Sequence, residues 1–242
     1  MSSDDPASPL ATPSVIPLTT FDDPRVLQIL TTEHWSLLSA RSLAYNEAFT
    51  RGGMFLTFLS MSFVGLALLA QGTSFDRQFL TVAAVVLAFD LVIGLTTYVR
   101  IFGANTDDLR AVHGMARIRH SYAQIAPVVV PYFTTPIHDD MPSVLTAYGP
   151  QSSSALSFVI AGLVSSGGLI GLIVSMVGGV LAAVVGLLVG VDGSFALWVG
   201  LAGAAVVFAL LLVGTLTAVS RGQTTIEARF PAPEDAPVTT SR

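Results

Sequence analysis

Asp90 is the residue whose type and position most clearly suggest chemistry, because it is the one ionisable residue within the apolar stretch 79–99. The leucine, valine and isoleucine side chains around it offset the insertion cost of a central aspartate, which is about 3 kcal/mol. Ionisable residues inside apolar spans are usually functional, so one interpretation is a site that handles protons or cations. The alternative is a protonated carboxyl that hydrogen-bonds across helices to a serine hydroxyl. The candidate hydroxyls belong to Ser60, Ser62, Ser165 and Ser175.

Histidine and aspartate side chains recur between residues 113 and 140. These are His113 and His120, which share a predicted helical face with Arg117, and His138, which stands beside Asp139 and Asp140. Neither set has the paired histidines with glutamate of a zinc hydrolase, so we expect no metal site. The chain also has no phosphate-binding loop, no nucleophile elbow and no paired catalytic carboxylates. The sequence therefore predicts a protein that is not an enzyme and has no cofactor.

Arginines are spread along the same predicted helix, at Arg110, Arg117 and Arg119. A basic face beside the cytoplasmic leaflet gains about 1 kcal/mol per residue from anionic lipid, which is the role we expect. The net charge of the whole chain is -5, and acidic pairs in the polar segments produce it. We therefore predict no nucleic-acid partner.

Small residues repeat every four positions in the apolar block 155–220, where Asp192 is the only charged residue. One file is Gly167, Gly171, Ser175, Gly179 and Ala183, and a second file is Gly178, Ala182, Gly186 and Gly190. Four-residue spacing places each file on one helix face, where small residues let another helix approach closely. Such a face either lines a pore or assembles a homo-oligomer, or it packs the third helix on the fourth within one subunit. Gly200 and Ala204 would supply the other half of the internal contact.

The composition identifies the class of protein that contains these residues. Hydrophobic residues make up 52% of the chain and charged residues 11%, whereas about a quarter of an average soluble domain is charged. An integral membrane protein is the class that fits. Cysteine is absent and every basic residue is arginine, which together with abundant alanine, valine and glycine suggests a GC-rich bacterial genome. The acidic, polar N-terminus does not resemble a cleavable signal peptide.

The patterning divides the chain into five segments. We predict a disordered tail at 1–20; a helix, a transmembrane hairpin and a cytoplasmic helix at 21–126; a proline-rich cytoplasmic loop with a short helix at 127–154; a glycine-rich transmembrane hairpin at 155–222; and a disordered tail at 223–242. Each span contains about 20 apolar residues. In the first helix, apolar residues recur at helical spacing opposite Arg41 and Glu47, and Gly52 with Gly53 allows a bend before the span. The helix after the second span is predicted to start near Asn105.

The third span is too long for a simple crossing, because 155–190 would reach about 54 Å as one helix. We favour a single projecting or kinked helix over a break at Ser165–Gly168 with a re-entrant piece before it, since buried non-helical backbone needs protein partners. Arg77 is the only basic residue in the two short turns, and all the others lie in the termini or the middle loop. By the positive-inside rule, both termini and the middle loop are cytoplasmic.

The order of a helix at 24–51, a hairpin at 53–99 and a helix at 105–126 resembles the SLATT modules, which are two-span bacterial domains. That resemblance implies a membrane pore that acts in defence. The stretches TTEHWSLLSARSLAYNEAF and RIRHSYAQIAPVVVPYF are also similar to those of other bacterial membrane proteins.

These observations predict an all-α protein of the bacterial inner membrane, with four transmembrane helices and cytoplasmic helical extensions. The expected partners are the lipid bilayer and either further copies of the chain or another membrane protein. The leading hypothesis is an oligomeric pore or small channel, motivated by the glycine files and Asp90. The alternative is a non-conducting scaffold or accessory subunit that holds a partner through 24–51 and 105–148.

Overall fold

The computed structural model describes residue 21 and residues 23–148, 165–223 and 227–233. The predicted tail at 1–20, residues 149–164 and residues 234–242 lie outside this description. Within the described ranges all regular structure is helical, which confirms the all-α prediction. The elements are α1 (Pro24–Thr73), α2 (Arg77–Ile125), a 3-10 segment (Pro127–Tyr132), α3 (Met141–Thr146), α4 (Ser166–Leu188) and α5 (Gly193–Gln223). Four of these helices, α1, α2, α4 and α5, are long and apolar enough to cross a membrane.

The first two helices form one long antiparallel hairpin. α1 has 50 residues and α2 has 49, so each is about 75 Å long. Asp23 caps α1 by accepting the Arg25 N–H, with proline at the first helical position, where a missing N–H costs nothing. The turn between the helices is tight because Ser74 and Phe75 take positive φ angles of 48° and 60°. Asp76 then caps α2 by accepting the Phe79 N–H at 2.8 Å.

Both helices run without interruption through the positions where the sequence suggested breaks. Gly52 lies within α1 and faces Ile101 and Ile170 at ordinary contact distance, and the bend allowed there stays a prediction. The prediction of a new helix near Asn105 is wrong, because α2 is continuous through it. Asp108 does not cap a helix; its carboxylate accepts hydrogen bonds from side chains of α1 and of the loop after α3.

The inner face of α1 also differs from the predicted one. Arg41 and Glu47 were expected on the polar side, yet Arg41 points at α2 and binds Asp108 there. Glu47 binds Arg100 of α2. Several apolar side chains are exposed instead, among them Trp35 and Phe49. The spacing of apolar residues in α1 does not identify the face that packs on α2, because α2 presents charged partners as well as apolar ones.

The four long helices pack side by side in the order α1, α2, α4, α5. A shared core forms where the first three meet, with Phe55 from α1, Leu87 and Ile101 from α2, and Val174 from α4. α4 begins at Ser166 with Ser165 as an extended N-cap, which is the position of the break in the alternative interpretation rather than within the favoured projecting or kinked helix. With 23 residues, α4 is about 35 Å long, which matches a bilayer core of about 30 Å. Residues 155–164, which were considered as a re-entrant piece, lie outside the described ranges.

The opposite end of the hairpin is polar, and we call it the head. It comprises residues 23–50 of α1, 103–125 of α2, 127–148 and 227–233. The last of these segments contradicts the predicted disorder of 223–242, because residues 227–233 are bonded to the loop before α3. No local sequence pattern indicates this contact, since its partners lie about 90 residues earlier in the chain.

Candidate functional site

Asp90 is fully buried at the interface of α1 and α2. Its Oδ1 accepts a hydrogen bond from the Ser62 hydroxyl at 3.0 Å, so Ser62 is the partner among the four serines considered. Ser60 and Ser175 instead donate to the main chain of their own helices, at Leu56 and Gly171. The Oδ2 atom of Asp90 is buried and has no hydrogen-bond partner in the described part of the chain.

The packing next to Asp90 leaves little room for a transported species. Gly94 lies one helical turn from Asp90, and a Cβ atom there would be 2.7 Å from Val174 and 2.9 Å from Phe55. Real Cβ atoms essentially never come so close, so three helices are in contact at this level. An open groove of about 460 Å³ runs between α1 and α2 on the other side of Ser62. Its lining is apolar apart from that serine, and includes Phe58, Leu66 and Phe89.

The first file of small residues faces other helices of the same chain. A Cβ atom on Gly171 would be 2.9 Å from the Tyr98 ring of α2, and Ser175 is buried. A Cβ atom on Gly179 would lie 2.6 Å from the Gly200 carbonyl oxygen and 2.7 Å from the Ala204 Cβ.

The two ends of the first file and part of the second file also contact other helices of the same chain. Gly167 lies near Asn105 at ordinary contact distance, and the Ala183 Cβ lies 3.1 Å from a Cβ built on Gly200. In the second file, a Cβ on Gly178 would meet Val207 at 2.8 Å. These contacts favour the interpretation in which the files pack α4 on α2 and α5 within one subunit.

The three arginines of the predicted basic face have different surroundings. Arg110 is exposed and pairs with Asp107 at 3.0 Å, whereas Arg117 reaches the buried Asp139 at 2.7 Å. Arg119 is partly buried, and burial followed by the charge of Arg41 lowers its pKa. Arg119 does not share a helix face with the other two, because 117 and 119 lie about 200° apart around the helix. The attraction of these arginines to anionic lipid stays a prediction.

A buried carboxylate, Asp108, holds the head together near the apolar core. It accepts bonds from Arg41 Nε at 2.5 Å, from the Tyr45 hydroxyl at 3.0 Å and from the Tyr148 hydroxyl at 2.6 Å. The three donors come from α1 and from the residues after α3, so one side chain of α2 joins both. Burial and the bond to Asp108 raise the pKa of Tyr148, which keeps its hydroxyl a donor.

A second buried carboxylate, Asp139, binds the segment 227–233, which we call the strap. Asp139 Oδ2 accepts the Arg229 N–H at 2.9 Å, and Oδ1 accepts the Phe230 N–H at 2.7 Å. Asp140 Oδ1 accepts the Ala232 N–H at 3.0 Å. Burial alone would raise the pKa of Asp139, but these N–H groups and the Arg117 guanidinium together lower it.

Histidines lie around the same part of the head. His113 is buried, and neither ring nitrogen has a hydrogen-bond partner among the described residues. Burial lowers the pKa of His113, while the nearby backbone and then the charge of Asp139 oppose the shift. The His120 ring stacks on Phe230 of the strap at 4.2 Å between centroids. The described side chains contain no group of three that could hold a metal ion.

The sequence analysis did not identify the strap site or the role of Asp108. The acidic pair before Pro142 predicted the start of a helix, and Asp140 does cap α3 through the Ser143 N–H. Its other oxygen binds the strap, which no local pattern indicates. Comparisons with protein-family models, with curated proteins and with solved structures gave no match, so these geometries stand without a relative to interpret them.

Proposed function

We propose that this protein is a membrane-anchored scaffold or accessory subunit, which does not conduct and which holds a partner protein on its head. The proposal takes up the second of the two functions that the sequence suggested. One observation carries it: an apolar face of α1 stays open along the head.

That face consists of residues of α1 that recur every three or four positions, and we call it the α1 stripe. Its members are Leu27, Thr31, Trp35, Leu38, Ser42, Tyr45 and Phe49. Trp35 is 64% exposed and Phe49 is 85% exposed. A shallow groove of about 370 Å³ lies beside Trp35, with Leu27 and Pro24 in its walls. No member of the stripe is charged, which suits contact with another protein.

The pore hypothesis receives less support from the same structure. Asp90 is closed in by packed helices, and the glycine files face α2 and α5 of their own chain. A pore built from several copies would then have to be lined by other residues. In the apolar parts of the four long helices, many exposed positions carry large apolar side chains, as expected of a surface that meets lipid.

The proposed placement follows from the distribution of arginine. The four apolar helices cross a bacterial inner membrane with the head and both termini in the cytoplasm, where the basic residues concentrate. The chain contains no cysteine, so labelling of single introduced cysteines can measure the membrane orientation directly. In spheroplasts, a membrane-impermeant maleimide should label Asp192→Cys, and should label Ser36→Cys only after permeabilisation. The reverse pattern would overturn the orientation.

The function is tested by flux and by crosslinking. Proteoliposomes that contain the purified protein should release ions and small dyes no faster than empty liposomes do. A photo-crosslinking amino acid at Thr31, on the stripe, should give in cells one discrete adduct that mass spectrometry identifies. The matched control is Ser36, which is also exposed but lies about 140° around the helix. Selective flux, or the same adducts from both positions, would contradict the proposal.

A further inference from the structure

We propose that the strap occupies a peptide-binding site on the head, and that a partner segment of the same chemistry replaces it there. The segment has an aromatic residue followed by proline, and it presents its backbone N–H groups to two neighbouring carboxylates. This inference rests on the scaffold function, because it states how the partner is recognised.

The site binds mainly the backbone of the strap. Asp139 receives two successive N–H groups, from Arg229 and Phe230, and its own N–H donates to the Phe230 carbonyl at 3.2 Å. Arg117 Nη2 donates to the Glu227 carbonyl at 2.7 Å. Charge-assisted bonds of this kind are stronger than neutral ones, and they accept any side chain. Affinity therefore comes from main-chain groups that many peptides share.

Sequence preference comes from two positions in the strap. The Phe230 ring is partly buried and stacks on His120, so position 230 requires an aromatic side chain. Pro231 has no N–H to satisfy, and it stands between two residues whose N–H groups are bound to Asp139 and Asp140. A proline at this position loses no hydrogen bond and restricts the backbone φ angle of residue 231. The preferred ligand is therefore an aromatic-proline segment.

The acceptors of the site are held by the head itself. Arg117 Nε binds Asp139 at 2.7 Å, and Asp140 is fixed as the cap of α3. Both carboxylates therefore keep their positions when the strap leaves. A ligand arriving at such a preorganised site does not have to order it, which favours binding.

The strap is held loosely enough to exchange. Five of its seven residues are exposed, and none belongs to a hydrophobic core cluster. Segments with few buried apolar contacts open locally at a small cost compared with global unfolding. Because the strap is tethered, its effective concentration is on the order of millimolar for a short linker. A partner therefore competes best when the membrane also holds it nearby.

The test uses the full chain in nanodiscs, with a protease site inserted between Gln223 and Glu227. The probe is a fluorescent peptide with the sequence of residues 227–233, followed by anisotropy. After cleavage and dialysis the peptide should bind, and uncleaved protein should bind it at least tenfold more weakly. A peptide methylated on the Phe230 nitrogen keeps every side chain but loses one hydrogen bond to Asp139. It should bind at least tenfold more weakly than the unmodified peptide.

Two further variants separate a specific effect on peptide binding from a general effect on folding. His120→Ala should weaken binding of the peptide and change the melting temperature of the protein little. Gln28→Ala, at an exposed position remote from the strap, should leave peptide binding unchanged. No binding to cleaved protein, or equal binding of the methylated peptide, would overturn the inference. The results distinguish the two proposals. A specific crosslinked adduct at Thr31 without peptide binding would contradict only the proposed peptide site. Peptide binding together with ion flux would contradict only the proposed scaffold function.

Discussion

Buried polar side chains decide how the head is joined to the rest of the protein. Asp108 and Asp139 each accept several hydrogen bonds, and each gathers donors from segments far apart in the chain. Removing a partner from a buried charge costs more than forming the pair contributes, because the remaining group is left without solvation. These two acids are thus the positions in the head where a single substitution should matter most.

Asp108→Asn should lower the free energy of unfolding by about 2 kcal/mol. The charge of Arg41 loses its partner, and the estimate is below that for a fully buried pair because Arg41 is 28% exposed. Thermal unfolding in detergent measures the effect. The control is the neighbouring Asp107→Asn, which breaks an exposed pair with Arg110 and should change stability by less than about 0.5 kcal/mol. Equal effects of the two variants would contradict the structural role of Asp108.

Ser62→Ala should destabilise the protein by about 0.6 kcal/mol, the average for hydrogen bonds between helices in membranes. Asp90 would then lose its one observed partner. Asp90→Asn should fold normally, since an amide still accepts the serine proton. Ser60→Ala is the matched control, because that exposed hydroxyl bonds only to its own helix, and its effect should be near zero. A loss from Ser60→Ala as large as that from Ser62→Ala would argue against the observed pairing.

At the residue scale, the sequence could identify Asp90 as unusual but not its surroundings. A lone acid in an apolar stretch is visible in any hydropathy profile, and a serine partner could be anticipated. Asp108 and Asp139 were not distinguishable from solvated acids, because their partners lie 67 and 90 residues away. Contacts over such separations depend on the packing of whole helices.

The helices themselves were predictable in type and less so in extent. Apolar runs of about 20 residues gave the four long helices, and the turn residues between α1 and α2 gave their antiparallel pairing. Polar residues such as Asn105 suggested a boundary that α2 does not have. A polar residue is compatible with a continuous helix where a neighbouring helix supplies its partners, as α1 does for Asp108 through Arg41 and Tyr45. The small-residue files were recognised, but their two interpretations could be separated only by seeing what they touch.

Gly179→Ala should destabilise the packing of α4 on α5, because the added Cβ would lie 2.6 Å from a backbone oxygen that cannot rotate away. We expect a loss of about 2 kcal/mol, as for overpacked cores. Gly167→Ala lies in the same file with its nearest neighbour at 3.6 Å, so it should be neutral or slightly stabilising. Thermal unfolding compares the two, and native mass spectrometry reports whether the oligomeric state changes. A folded Gly179→Ala protein with altered assembly would instead place this face between subunits.

The whole molecule combines a thin apolar part with a long polar extension. The hairpin of α1 and α2 is about 75 Å long, whereas a bilayer core is about 30 Å thick. The head contains residues 24–50 of α1, or about 40 Å of helix. A partner on the α1 stripe would therefore sit clear of the lipid surface, which suits an anchored scaffold.

The stability of the whole protein should fall as the pH drops from 7.5 to 5. Burial lowers the pKa of His34 and of His113, so the unfolded chain binds more protons than the folded one below the ordinary value near 6.5. The lowered pKa of Asp139 acts in a different window, since its contribution is lost only below the ordinary value of 3.8. His113→Gln should flatten the dependence of the melting temperature on pH, with the remainder due to His34. An unchanged profile in this variant would show that His113 does not carry the effect.

The position of the strap in the chain also sets the order of events during synthesis. Asp139 and Arg117 emerge from the ribosome before α4 and α5, and their ligand follows α5. The head therefore stays incomplete while the last two apolar helices are still being made and placed. The strap can therefore bind to the head only after all four long helices have been synthesised. A chain that stalls earlier would leave Asp139 and Asp140 without the backbone N–H groups that the strap supplies.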